Sequence, residues 1–160
     1  MSQLARFQKR INESIPLTNS LGVRLFAYDG EQLVVNAPLE PNHNHQGTGF
    51  GGSVYAVAVV AAWGLVELAL EDWGLEGSVV VQIGSMEYLE PVDDDFYAVC
   101  RLPCADDMAR FRKSLARHGK GRLNLRSEVY CGSPTMSPVR APAATFEGRF
   151  VVQDARTTIR

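Results

Sequence analysis

The chain has 160 residues, enough for one domain and too few for two of ordinary size. Apolar residues make up 46% and charged residues 21%, the balance of a folded globular protein, which excludes a disordered one. A formal net charge of −2 argues against nucleic acid or an anionic membrane as general partners, and three cysteines in a chain able to build a core read as reduced, cytoplasmic thiols.

The N-terminal stretch has no apolar run of signal-peptide length, so export is not expected. Gln3 to about Ser14 spaces Leu4, Phe7 and Ile11 as one face of a short packing helix that stops before Pro16. Two alternating runs follow, with Val23, Leu25, Ala27, Leu33, Val35 and Ala37 on one side. Asp29-Gly30 between them predicts a hairpin closed by a two-residue turn.

Pro38 to Gly52 is a polar, glycine-rich loop. A long apolar helix is expected to open at Ser53, with that serine as its cap, and to stop near Gly74. The run Val54–Leu70 touches the lower limit of about 17 residues for a membrane span, but it carries Glu67 and Gly64 and lacks basic anchors. It reads as a helix buried in protein.

Val79–Leu89 forms a long strand ended by Pro91. After the turn at Asp93–Asp95, Phe96–Leu102 is expected to return as its partner. Asp106 to about His118 suits an amphipathic helix with an acidic start and a basic end, which complements the helix dipole. Arg122–Cys131 alternates strictly, with Leu123, Leu125, Ser127 and Val129 on one face. Gly132–Pro142 is a proline-rich loop, Ala144–Val152 alternates again, and Asp154–Arg160 reads as a frayed tail.

The order is two strands, a long apolar helix, then four strands with a small helix among them. A half-solvated antiparallel sheet and a helix apolar all round satisfy each other if the sheet curls around the helix. Ala56, Ala58, Ala61, Ala62 and Gly64 would allow close approach. The expected class is therefore α+β: a hot-dog fold, a curved antiparallel sheet around one long central helix, occupying 1–160 as a single domain.

The loop before the helix carries a resemblance. Asn44, Gly47, Phe50, Gly51 and Gly52 resemble the N-x-x-G-x-x-H-G-G loop of hot-dog acyl-CoA thioesterases of the phenylacetate-pathway type. The stretch Met86–Val92 looks like their third strand and the turn after it. Ile15-Pro16-Leu17, Leu21-Gly22-Val23, Ala37-Pro38-Leu39, Pro41-Asn42, Asn44-His45, Gly47-Thr48, Phe50–Ser53 and Ala62-Trp63-Gly64 resemble the YiiD C-terminal-domain family, over most of the chain. The resemblance implies hydrolysis of an acyl thioester of coenzyme A or acyl-carrier protein. It implies a groove between the 42–53 loop and a partner subunit, a homodimer or dimer of dimers, and no cofactor or metal.

A helix start supplies backbone N–H groups with no internal partner, aided by the dipole. Glycines there let a carbonyl approach, so the N–H groups of Gly52 and Ser53 are the expected oxyanion donors. The alternative is a tight turn and nothing more. Asn44 matches the asparagine that orients water or carbonyl, or else it stabilises its own loop. His45 has the pKa range of a general base, or is simply solvated. The Ser53 hydroxyl suits capping better than nucleophilic attack. Asn42, Gly47, Thr48, Phe50 and Gly51 in the loop, with Gln82, Ser85 and Glu87 on the third strand, are expected to line the substrate.

Lys120 and Arg122 belong to a basic cluster with Arg110, Arg112, Lys113 and Arg117, which forms either a solvated face or a phosphate site. His43 and His45, or Cys100 and Cys104, have spacings seen in metal sites but lack further ligands nearby. Two departures from the resembled pattern stand out. Phe50 replaces histidine, and Val59 stands where those enzymes carry an acid early in the helix. Glu67, the first carboxylate on the helix, lies about 21 Å beyond Ser53. Those departures leave open a non-catalytic acyl-thioester-binding module, and a hot-dog dehydratase is a third reading.

Overall fold

A computed structural model describes residues 1–157. Helix α1 (Gln3–Ser14) begins where the Ser2 hydroxyl accepts from the Ala5 N–H, and it buries Phe7 and Ile11. A short helix α2 (Leu17–Ser20), unmarked by periodicity, leads into strands β1 (Arg24–Tyr28) and β2 (Gln32–Ala37). A 3-10 turn at Glu40–Asn42 precedes the long helix α3 (Gly51–Asp72). Strands β3 (Gly77–Tyr88) and β4 (Phe96–Arg101), helix α4 (Ala105–His118), and strands β5 (Lys120–Cys131) and β6 (Ala144–Asp154) complete the order.

The six strands form one antiparallel sheet in the order β1-β2-β4-β5-β6-β3, with α3 packed across β2, β3, β4, β5 and β6. This is the hot-dog arrangement expected from the pattern. Val54, Val57, Ala58, Ala61, Ala62, Leu65 and Leu68 of α3 are almost wholly inaccessible, facing Phe146, Phe150, Leu33 and Val129. A Cβ on Gly64 would come within 3.0 Å of Leu33 and 3.2 Å of Phe7, so sheet and α1 both lean on the helix there. The helix is long and apolar enough to cross a membrane, yet it is the core of this fold.

Four expectations are corrected. Phe96–Arg101 does not pair with the preceding strand: β3 pairs with β6, and β4 lies between β2 and β5. Residues 89–95 cross from the sheet edge towards its centre, and Pro91 and the three aspartates suit that crossing as well as a hairpin. The hairpin turn centres on Gly30 (φ +95°) and Glu31, one residue later than expected, because the Asp29 carboxylate accepts from the N–H groups of Glu31 and Gln32. A bulge at Phe26 then restores the inward face of β1.

Helix α3 starts at Gly51, so Ser53 sits inside its first turn and is not its cap. Asp154 belongs to β6, opposite Gly77, and a 3-10 turn covers Ala155–Thr157. The rest of the expected frayed tail lies outside the described residues.

The other side of the sheet carries a smaller apolar cluster of Val34, Tyr97, Val99 and Tyr130, with Met136 of the proline-rich loop laid over it. The Gln32 amide donates to the Met136 carbonyl and holds that strap down.

Candidate active site

The loop from β2 to α3 is pinned from beneath by Asn42, which is buried. Its side-chain amide donates to the carbonyls of Leu21 (2.8 Å) and Pro38 (2.7 Å), while its backbone carbonyl accepts from the Phe50 N–H (2.7 Å). Its Oδ1 is the one buried side-chain polar atom without a partner among the described residues. Residues 43–49 leave and return, with His43 bridged to Gly49. Asn44 closes this excursion: its Oδ1 accepts from the N–H groups of Gln46 and Thr48, and its amide donates to the Thr48 hydroxyl. Gly47 takes φ +80° at the tip. The Gly49 N–H donates to the Val92 carbonyl (2.7 Å), which fastens the loop to the turn after β3.

This closure delivers the start of α3. Phe50, extended at φ −62° and ψ 129°, is the N-cap residue and makes no side-chain cap bond; the first turn holds no acid. Its carbonyl accepts from the Val54 N–H. The N–H groups of Gly51, Gly52 and Ser53 have no partner among the described residues, so three donors and the positive end of a 22-residue helix stand together. The Phe50 ring lies against Gly52, where a Cβ would come within 2.6 Å of it.

Beside this turn runs a cleft of about 380 Å³ lined by Thr48, Gly51, Val54, Tyr88, Glu90 and Val92. The Tyr88 hydroxyl donates to the Gly51 carbonyl (2.7 Å), so the end of β3 grips the first turn of the helix. Burial, and then the nearby Tyr55 phenol, raise the Tyr88 pKa above its ordinary value. Glu90 is exposed, makes no ion pair among the described residues, and lines the cleft. Sequence reasoning singled out neither Tyr88 nor Glu90.

The expected residues divide accordingly. Thr48, Phe50, Gly51, Gly52 and Ser53 gather at the helix start, with Asn42 under the loop. Asn44 spends its side-chain bonds inside the loop, and Gly47 and His45 are exposed at its tip. Ser85 and Glu87 pair with Glu147 and Thr145, on the side of β3 away from the helix, and Gln82 is the bulged residue of that strand. Lys120 and Arg122 lie on the outer side at the other end, beside Gly121, which packs on Phe111 near Trp73. One chain therefore does not join them to the loop. Glu67 pairs with Arg10 of α1 (3.5 Å).

Among the described residues no three His, Cys, Asp or Glu side chains cluster as metal ligands. A larger cleft of about 580 Å³, near Asp29, Arg101, Met108 and Met136, contains none of the expected site residues.

Residues 4–154 match the family model described as "Putative thioesterase (yiiD_Cterm)". A solved protein of unknown function from Chlorobaculum tepidum is similar at 32% identity, covering 94% of this chain and 93% of that one, with a TM-score of 0.87. A "putative thioesterase" from Shewanella oneidensis is 25% identical over 92% of this chain and 95% of its own, with a TM-score of 0.77. A thioesterase from Haemophilus influenzae, 13% identical over 100% of this chain and 96% of its own, has the same fold at a TM-score of 0.74.

Proposed function

The chain belongs to the YiiD C-terminal-domain family, and from that premise we propose that it hydrolyses an acyl thioester at the start of α3. The observation that carries the reading is the trio of unpartnered N–H groups at Gly51, Gly52 and Ser53, set beside a cleft. A thioester carbonyl directed at these donors gains most when it becomes an oxyanion, so they favour the tetrahedral intermediate over the substrate.

Glu90 takes a proton from water as the water oxygen bonds to the carbonyl carbon, and the carbonyl electron pair moves onto oxygen. Collapse of the intermediate breaks the C–S bond. The departing thiolate receives the proton from Glu90, leaving a carboxylic acid and a thiol. His45 is the alternative base. The acyl carrier is coenzyme A or acyl-carrier protein, and the family resemblance of the loop supports both.

The working unit is a homodimer joined along β3. The two edges of the sheet differ in a way that supports this. At the β1 edge, the strand is five residues long and capped by Gln8, whose side chain accepts from the Leu25 N–H and donates to the Val23 carbonyl. At the β3 edge, a strand of twelve residues pairs on one side only and exposes Val80, Val81 and Ile83. A long apolar open edge invites a second strand, and a two-fold axis pairs β3 with itself.

Turnover of acyl-CoAs from acetyl to palmitoyl, followed by thioester absorbance, tests the reading. Gly51→Pro deletes one donor at the first helical position, where proline is tolerated after the extended Phe50, and is expected to lower kcat about 10²–10³-fold. Glu90→Gln is expected to lower it about 10²-fold or more, with Ser53→Ala near wild type. Loss confined to His45→Gln would hand the proton transfer to the imidazole. Saturable acyl-CoA binding without turnover would make the chain a binding module, and a mass of 17.6 kDa by light scattering would exclude the dimer.

A further inference from the structure

Two glycines face each other across the ladder between β3 and β6, where Gly84 pairs with Gly148. Neither has a positive φ, so backbone freedom does not explain them, and glycine in mid-strand weakens a sheet. Space does explain them. A Cβ on Gly84 would collide with the Tyr55 hydroxyl and come within 2.9 Å of Phe146, and one on Gly148 would collide with the Phe146 ring. The two rings meet edge to face, their centroids 5.4 Å apart. The glycine pair thus makes a dent in the helix-facing side of the sheet, and Tyr55 and Phe146 fill it.

Tyr55 stands four residues past Gly51, about 6 Å further along α3. Opposite it, Tyr88, Met86 and Gly84 succeed one another along the inward side of β3, leading from the mouth of the cleft to the Tyr55 ring. Tyr55 is only partly buried, and its hydroxyl has no hydrogen-bond partner among the described residues. Past Tyr55 the walls continue: Val59 on the helix and Val81 on the strand are apolar and not fully buried. An apolar path along α3 and β3 is therefore closed by two phenols: Tyr88, tied to the Gly51 carbonyl at the mouth, and Tyr55, which fills the dent in the sheet beyond it.

We propose that Tyr55 is the floor of the acyl-binding groove and restricts the protein to short acyl chains. The inference rests on the thioesterase reading for its substrate, but the selectivity it predicts is one of binding as well as turnover. The chain enters at the cleft beside Val54 as the Tyr88 hydroxyl releases the Gly51 carbonyl, runs past the flexible Met86 side chain and ends on the Tyr55 ring. Longer chains must displace that ring from its glycine cradle.

The test compares wild type with Tyr55→Ala, Tyr55→Leu and Tyr55→Phe, using acyl-CoAs from acetyl to palmitoyl for turnover and their non-hydrolysable thioethers for binding. Tyr55→Leu keeps an apolar filler if alanine fails to fold. Wild type should prefer short chains. Alanine should raise the long-to-short ratio of both kcat/KM and affinity by about tenfold or more, leucine by less, and Tyr55→Phe should leave it within about twofold.

Unchanged selectivity in folded alanine and leucine variants overturns the floor. If those variants still turn thioesters over, the hydrolase reading survives its loss. A shift in binding selectivity without turnover in any variant keeps the floor and removes the hydrolase. A wild type that prefers palmitoyl overturns the floor directly.

Discussion

The two ends of α3 are finished in opposite ways. At its C-terminal end the helix carries Glu71 and Asp72, acids set against the negative pole of the dipole, where they are unfavourable unless compensated. Each is compensated. Arg6 reaches Glu71 (3.4 Å), and the Asp72 carboxylate accepts from the Tyr28 hydroxyl and the Gln3 amide, both at 2.7 Å. Gly74 at φ +65° ends the helix cleanly. At the N-terminal end, where an acid or a capping side chain would stabilise the helix at little cost, there is neither. Elsewhere the same chain caps α1 with Ser2 and places Asp106 and Asp107 in the first turn of α4. Among the three long helices the bare end of α3 is thus the exception, and its free donors are what a developing oxyanion needs.

The sharpest way to break this contrast is to finish the unfinished end. Phe50→Asp supplies a cap whose carboxylate accepts from the second and third residues of the helix, Gly52 and Ser53. Phe50 is 56% exposed, so removing its ring gives up little burial. The variant should gain about 1 kcal/mol in stability, read by denaturant melts, and lose about 10²-fold in kcat because its own carboxylate occupies the donors. A more stable variant with wild-type turnover would remove the helix start from the mechanism.

The sequence made the fastened end easier to read than the bare one. Helix and strand periods are local signals, so α1, the stop of α3 and the inward faces of β5 and β6 were legible from single segments. Strand pairing is not local. Val79–Leu89 and Phe96–Leu102 look like a hairpin because they are neighbours, and only the need to cover α3 on both sides sends β3 to the far edge.

Ser53 looked like a cap because serine before an apolar run usually is one, and the chain departs from that preference where the candidate site lies. The loop residues of the site were visible through their resemblance to a known pattern. Tyr55, Tyr88 and Glu90 were not, because their meaning depends on which strand end meets the helix. Gly84 and Gly148 were the available hint for Tyr55, as glycines inside otherwise regular strands.

A smaller effect is expected from undoing the finished end. Asp72→Ala removes the acceptor shared by Tyr28 and Gln3, ties that hold β1 and α1 to the end of α3. It also removes a charge unfavourable to the dipole, which offsets part of the loss. A net cost of about 1 kcal/mol is expected, with turnover unchanged, since the site lies at the opposite end of a helix about 33 Å long. A loss of turnover matching that of Phe50→Asp would mean that the two ends are not independent.

The smallest effect, and the one whose sign is least obvious, belongs to Glu67. It pairs with Arg10, which invites the expectation that it stabilises the fold. Burial pushes its carboxyl above the ordinary carboxylate value, however, and the Arg10 charge offsets that only in part. A carboxyl with a raised folded pKa contributes stability that is fully present below its unfolded value, near pH 4.3, and is lost as pH rises through the folded value. At neutral pH the charged form is therefore a net liability despite its partner.

Glu67→Gln should raise the melting temperature slightly at pH 7, by less than the ~2–4 °C that 1 kcal/mol gives a domain of this size, and the gain should vanish towards pH 4. Arg10 keeps its stacking over the Phe7 ring at 4.8 Å in either case. A lower melting temperature at pH 7 would show that the ion pair outweighs burial. Glu67 would then join Glu71 and Asp72 as an acid fully compensated at the fastened end.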